Sequence, residues 1–283
     1  MKRNPVIVKS SGEKVPFAPE KLRKSLLHSG APSGVVDTIV QKVTDEIYEE
    51  MSTREIYNRA FALLRKYRES CASRYKLKKA IYELGPSGFP FEKFVSAVLN
   101  HSGHQTQTNQ IYQGHCVAHE IDVVATGPKG VTLIECKFHS NAGKKCDVKI
   151  PLYIHSRFQD IVRWNDHQQE DRVNLKPAWV VTNTRFTRDA QQYGKCAGLY
   201  LLSWNYPPKN SLKRRIDRSG LYPITVSTLL SAREKEFILE RGIVLCKELL
   251  EAPYFLDHLG VSDPRKKRVL EEFSQLCNVF SEP

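Results

Sequence analysis

No run of this chain approaches the roughly 20 consecutive apolar residues that a membrane-spanning helix requires, and its first residues show no basic-then-apolar secretory signal. The chain therefore reads as cytosolic, with no membrane partner. Paired cysteines are missing too: Cys71, Cys116, Cys136, Cys146, Cys196, Cys246 and Cys277 are odd in number, scattered and never spaced C-x-x-C. Such usage suits reduced thiols and argues against a disulfide frame or a zinc ribbon. No G-x-x-x-x-G-K-[ST] loop occurs either, so a nucleotide bound here would act as an effector and not as motor fuel.

Acidic residues are the scarcer charge. The 43 Lys and Arg against 31 Asp and Glu leave a formal net charge of +12, which favours a polyanionic partner because neutralising phosphates releases counterions. A length of 283 residues allows two or three domains and at least one sizeable core.

The segment HEIDVVATGPKGVTLIECKF, residues 119 to 138, places charge where a half-buried hairpin would take apolar side chains. Gly127, Pro128, Lys129 and Gly130 supply turn dihedrals between two runs rich in β-branched residues, so a hairpin is expected. Partners then have numbers summing to 257, which sets Asp122 opposite Glu135 on one face, with Lys137 two residues further along that face. Two facing carboxylates repel unless a cation lies between them. Oxygen ligands of this kind suit magnesium or manganese, and an adjacent ammonium can orient a water or steady charge on phosphorus oxygens. An exposed hairpin edge with ordinary charge pairs is the competing reading.

Upstream, PVIVKSSGEKVPF reads as a short basic hairpin turning at Ser11 and Gly12. Pro19 opens a helix that Gly30 stops, and Val36, Ile39, Val40, Val43 and Ile47 recur at helical spacing. Ser52 and Glu55 make a capping-box start for a third helix, and a fourth runs from about Ala72 to Leu84. Residues 1–85 thus form one unit, with GPSGFP as its linker. The segment VIVKSSGEKVPFAPEKLRKSL, with amphipathic helices behind it, resembles an ATP-cone, a nucleotide-sensing module. The resemblance implies ATP or dATP as effector, held by Lys9, Val15 to Lys21 and Thr53, and implies association into homo-oligomers. The family's K-R-D-G is replaced here by Lys9-Ser10-Ser11-Gly12, without the arginine and aspartate. Lys9, Lys14 and Lys21 could converge on a triphosphate at a helix N-terminus.

From Phe89 a second pattern begins. Phe91, Phe94, Val95, Val98 and Leu99 mark an amphipathic helix carrying Glu92 near its start. The charged hairpin follows, then a helix over 151–164, then a strand, a helix N-capped by Thr187 and a further strand, joined by a right-handed crossover. Helix, hairpin, helix, strand, helix, strand describes an α/β sandwich with a mixed sheet over 86–205. With Glu92, Asp122 and Glu135-Cys136-Lys137 in that order, the region resembles the Mrr-like branch of the PD-(D/E)XK nucleases. The resemblance implies a metal-dependent endonuclease acting on DNA, in the manner of a restriction or defence enzyme. Asp122, Glu135 and the carbonyl of Cys136 would bind Mg2+ or Mn2+ beside Glu92, Lys137 would act on the water, and Gln159 on the following helix would add a polar contact. Many members of the branch carry glutamine where Glu135 stands. A nucleotide-responsive DNA-binding regulator with a silent nuclease fold, and an RNA or repair nuclease, are the alternatives.

His101, His104, His115, Cys116 and His119 crowd the approach to the hairpin. Zinc is disfavoured because a Gln-Gly step and a strand flank them, so helical i, i+4 convergence is not expected. Residues 206–283 read as a basic segment and a helical region. Lys213, Arg214 and Arg215 there, with Arg265, Lys266 and Lys267 after Gly260, are the candidate phosphate contacts, and FLDHLGVSDPRKKRVLEEF faintly resembles a helix-hairpin-helix. The whole is expected to be an α/β multidomain protein.

Overall fold

A computed structural model describes residues 5–9, 11–141, 143–168 and 170–278; Ser10 of the first turn lies outside them. Among the described residues the chain is mixed α/β with two sheets, and no helix is long and apolar enough to cross a membrane.

The first sheet has the order β2-β1-β3, from β1 (Val6–Val8), β2 (Lys14–Pro16) and β3 (Met51–Ser52). β1 and β2 form the expected hairpin, Ile7 pairing with Val15, while β3 adds a short parallel edge. Helices α1 (Pro19–Leu27), α2 (Ser33–Asp45) and α3 (Thr53–Tyr67) cover it. Pro19 is the first residue of α1, and the Ser52 hydroxyl accepts the Glu55 amide at 3.1 Å. Leu26, Val36, Ile39, Met51, Ile56 and Leu64 fill the core.

A linker at 85–90 is not what the fold makes of GPSGFP. Helix α4 (Glu69–Tyr82) gives Cys71 and Ala72 to the first core, then Leu77, Ala80, Ile81 and Leu84 carry the chain into a second. Gly85 packs under the Phe138 ring, where a Cβ would collide. Glycine and proline announce a turn, but packing decides whether that turn is loose. The boundary at 205 is crossed likewise. Leu212, Ile224, Ile238, Leu249 and Phe273 share one core with Phe91, Phe94 and Ile134, so 206–278 packs as part of the same body.

The second sheet runs β4-β5-β6-β7-β8: β4 (Gln105–Gln113), β5 (Ala118–Gly127), β6 (Gly130–Lys137), β7 (Trp179–Thr182) and β8 (Tyr200–Leu202). The first three are antiparallel and the last three parallel, which makes the sheet mixed. β4 is a strand beyond those expected. Helix α5 (Phe89–Asn100) lies on one face with Val123, Ala125, Ile134 and Cys136. Helices α6 (Lys149–Asp166) and α7 (Arg188–Cys196) lie on the other, with Ile121, Val124 and Leu133 against Ile161. Thr187 caps α7, accepting the Ala190 amide at 3.2 Å.

Gly194 lets α7 settle onto β8: a Cβ there would stand 2.6 Å from Leu201 Cδ1 and 2.8 Å from its Cγ. Gly194→Ala would gain helix propensity of about 1 kcal/mol, yet both branches of a 4 % exposed leucine obstruct the new methyl. Overpacking wins, and urea titration should give a net loss of about 1–3 kcal/mol.

Five helices complete the chain: α8 (Leu212–Ser219), α9 (Ala232–Glu240), α10 (Cys246–Glu251), α11 (Tyr254–His258) and α12 (Asp263–Cys277). Gly260, at φ +66°, turns α11 into α12.

Candidate active site

The hairpin closes at Gly127 with Gly130, and the register sums to 257 through Ala125 with Thr132 and Val123 with Ile134. There it stops, one residue short of Asp122. On the other side, Thr108 pairs with Val123 and Gln110 with Ile121, while Asn109 opposite Asp122 drops out of the ladder. Asn109 is left-handed at φ +54°, a conformation asparagine tolerates better than most residues. Ile121 and Val124 share the α6 face, yet Val123 and Ala125 face α5, so β5 rotates about Asp122 instead of alternating.

This break frees the carboxylate. Asp122 Oδ2 accepts the Cys136 amide at 2.7 Å, the N–H that a continued ladder would give to Ile121. Within a strand residue the N–H and C=O point the same way, so the Cys136 carbonyl faces the same opening. Lys137, the next residue, turns toward β7, where its carbonyl accepts Thr182 Oγ1 at 2.7 Å.

Three acids lie within electrostatic reach of Cys136. The buried Cys136 thiol is pushed well above its ordinary value, chiefly by burial and then by Asp122, Glu92 and Glu135, so one sulfur feels all three carboxylates. Burial, with Asp122 next, pushes Glu135 up to about 7, although Arg157 and Lys137 pull the other way. Glu92, in the first turn of α5, also rises to about 7, from burial and then from Asp122, Glu135 and Glu120. Burial raises Asp122 too, against the Cys136 amide, Arg157 and Lys137. Lys137 sits two residues beyond Glu135, and among the described residues its ammonium has no hydrogen-bond or ion-pair partner.

Arg157 of α6 enters the site although sequence reasoning passed over it. Its Nη1 meets Glu135 Oε2 at 2.7 Å, with side-chain exposures of 15 % and 18 %, and its Nη2 donates to the Glu120 carbonyl. A signal was present: Arg157 stands three residues from Ile154 and four from Ile161, in the stripe that α6 buries. Gln159 is exposed and bonds His155 at 3.3 Å. Two positions along a helix is a rotation of roughly 200°, so with Arg157 on Glu135, Gln159 points elsewhere.

Among the described residues no three His, Cys, Asp or Glu side chains form a ready-made metal cage. The donor chemistry nonetheless fits a hard divalent ion: Asp122, Glu135 and the Cys136 carbonyl offer oxygens beside Glu92, and burial, with the neighbouring acids next, raises both Glu92 and Glu135. His119 and His115 serve the fold. His119 Nε2 meets Asp160 at 2.8 Å, and the Cys116 and Val117 amides donate to the same carboxylate; His115 stacks on His167.

The raised acids have a measurable consequence. Between pH 4.5 and 7 the folded state holds protons on Glu92 and Glu135 that the unfolded chain releases, so stability present below about 4.5 is lost as pH rises through about 7. In EDTA the melting temperature should fall from pH 5 to 8. Glu92→Gln should flatten that fall and stabilise the chain at pH 8 by about 1 kcal/mol after solvent screening.

The remaining candidates are dispersed. Val8 lies beside Ser52 in the parallel pair, so Lys9 and Thr53 leave the sheet side by side. Lys9 pairs with Glu13 at 2.8 Å and Lys14 with Glu50; Lys21, exposed in the first turn of α1, bonds neither Lys9 nor Thr53. Val15 is committed to the β1–β2 ladder. Several C-terminal cations are tied into the fold: Arg215 stacks on Trp179 and Tyr200, Arg265 grips Glu234 at 2.6 and 2.7 Å, Lys266 meets Asp257 at 2.6 Å and Lys213 meets Asp217 at 3.4 Å. Arg214 is exposed, and neither it nor Lys267 has an ion pair among the described residues.

Residues 222–277 match the family model described as AF1548-like, C-terminal. An uncharacterized protein of Archaeoglobus fulgidus is 33 % identical over 182 residues, 63 % of this chain and 97 % of that protein. A crystal structure described as a protein of unknown function, AF1548, superposes with a TM-score of 0.55 at 30 % identity, over 68 % of this chain and 98 % of that one. The DNA modification-dependent restriction endonuclease AspBHI gives a TM-score of 0.28 at 11 % identity, over 72 % and 40 %, too loose a superposition to bear on function. Identity at this level across nearly the full length of the archaeal relative means that the chain belongs to the AF1548-like family.

Proposed function

We propose that this chain is a metal-dependent DNA endonuclease whose N-terminal module takes ATP or dATP as an effector. The observation that carries the reading is Asp122 Oδ2 on the Cys136 amide at 2.7 Å, with Glu135 and Lys137 flanking that residue in β6, Glu92 close enough to feel both acids, and no partner for the Lys137 ammonium among the described residues. Asp122, Glu135 and the Cys136 carbonyl would hold Mg2+ or Mn2+, which when bound polarises a scissile phosphate and lowers the pKa of a water. Lys137 positions the attacking water and offsets the charge that grows on the phosphate oxygens. Glu92, pushed up to about 7 by burial and then by its acidic neighbours, is suited to accept a proton close to physiological pH. Arg214 and Lys267, the candidate phosphate contacts without an ion pair among the described residues, meet the DNA backbone.

For the effector, Lys9 and Thr53 stand together at the start of α3, where free backbone amides favour phosphate. Its influence travels through α4, which belongs to both cores, and through association of copies. Plasmid cleavage in magnesium, with and without ATP, tests the whole. Nicking that needs the metal and changes with ATP is the expected result. No nicking under any nucleotide would overturn the enzyme reading in favour of a DNA-binding regulator. Sedimentation with ATP, repeated on Lys9→Ala, tests the effector site separately, and no change of mass with ATP would remove the association step.

A further inference from the structure

The carboxylate cluster already has one cation bonded to it, and that cation comes from α6. Arg157 reaches over the opening where β5 and β6 part, one nitrogen on Glu135 Oε2 at 2.7 Å and the other on the Glu120 carbonyl. Its guanidinium lies 5.4 Å from the centre of the Tyr153 ring, and that ring is 60 % exposed. The guanidinium therefore has the protein on one side and an open aromatic face on the other.

Charge balance gives the position its meaning. Glu92, Asp122 and Glu135 can carry three negative charges, against which the fold sets Lys137 and Arg157. With both cations in place a divalent ion would leave the cluster with one excess positive charge; without Arg157 the same ion would bring it to zero. Glu135 cannot give its full charge to Arg157 and to a metal together, because two cations sharing one carboxylate repel each other. The two bonds also tie α6 to both strands of the opening, and a fork of this geometry is something lysine cannot reproduce.

We propose that Arg157 is a positioning residue that neutralises Glu135 until a divalent cation enters, then releases it and turns along Tyr153 toward the substrate backbone. The inference rests on the nuclease reading of the same site. It makes Arg157 a competitor for metal, so that removing the residue should tighten metal binding, the reverse of what loss of a structural brace would do.

Calorimetric titration with MnCl2, without substrate, on the full-length chain and on Arg157→Gln and Arg157→Lys tests it. Removing an opposite charge at this range shifts a carboxylate equilibrium by about 1–3 pK units, so Arg157→Gln should bind Mn2+ at least about tenfold more tightly, with Arg157→Lys between the two. Equal or weaker binding in Arg157→Gln, with native binding intact, would overturn this proposal alone. Binding in neither protein would overturn the metal site and this proposal with it. Should Arg157→Gln fail to fold, nitrogen-15 resonances of the Arg157 guanidinium in the native chain give the answer: Mg2+ should abolish their hydrogen-bonded signature, and an unchanged signature would overturn the handover.

Discussion

Lys137→Ala should reduce magnesium-dependent plasmid nicking by about 10²-fold or more while leaving Mn2+ uptake in place, at native affinity or tighter because a positive charge beside the carboxylates is lost. Lys137 is half-buried at the end of β6, and its ammonium bonds no described residue. Its removal leaves no orphaned partner, so structural loss will not mimic catalytic loss. The backbone anchor from Thr182 to the Lys137 carbonyl survives the substitution. Asp122→Ala should be at least as damaging, about 10³-fold, but through a different loss, because it removes a metal oxygen and so both nicking and Mn2+ uptake fall. It also strands the Cys136 amide, at a cost of about 1–3 kcal/mol, partly offset by relief of repulsion on Glu92 and Glu135. The pair of variants is therefore diagnostic as a split. Nicking that survives both substitutions would sink the proposed site, and a Lys137→Ala protein that loses metal binding would move Lys137 from water activation to site assembly.

How much of this was legible depended on how local the signal was. Turn residues at 127–130 fix the hairpin register because a two-residue connection leaves only one alignment, and Ser52 and Thr187 announce helix starts through their own hydroxyls. β4 escaped because QTQTNQIYQ has no apolar alternation. Its inner face is made of Thr106, Thr108, Gln110 and Tyr112, half-buried polar residues that hydropathy reads as loop. The rotation at Asp122 escaped for a related reason. It needs Asn109 in a left-handed conformation across the strand, and nothing near Asn109 distinguishes it from any other exposed asparagine. Gln159 was named by likeness to other proteins and Arg157 was passed over, although the apolar stripe of α6 pointed to position 157. The close packing at 85 went unseen because glycine and proline report backbone geometry and are silent about Phe138, 53 residues away.

Glu272→Ala should be the most destabilising single change outside the site. The carboxylate is 3 % exposed and accepts from Ser73 Oγ at 2.5 Å, Ser227 Oγ at 2.6 Å, and the Thr228 amide and hydroxyl at 2.9 and 3.0 Å. Ser73 belongs to α4 and the others to the C-terminal region, so one acid joins the N-terminal module to the rest. Around it Lys76 donates to the Thr225 carbonyl at 2.8 Å and Lys235 to the Ser227 carbonyl at 2.7 Å. Burial, with Lys76 next, depresses Lys235 to about 8, against Glu83 and Glu272. Alanine would remove four acceptor contacts and leave two buried ammonium groups with less negative charge nearby. The loss should be about 3–5 kcal/mol by denaturant titration, since the partners of a buried charge stay behind without compensation. Glutamine keeps one acceptor oxygen but turns an amide donor toward hydroxyl donors, so about half that loss is expected. Calorimetry gives the sharper reading. If Glu272 couples the two cores, the native chain melts in one transition and Glu272→Ala in two, the first belonging to α1–α3. A single transition in both proteins, displaced by less than about 1 kcal/mol, would mean that the apolar face of α4 alone holds the module in place.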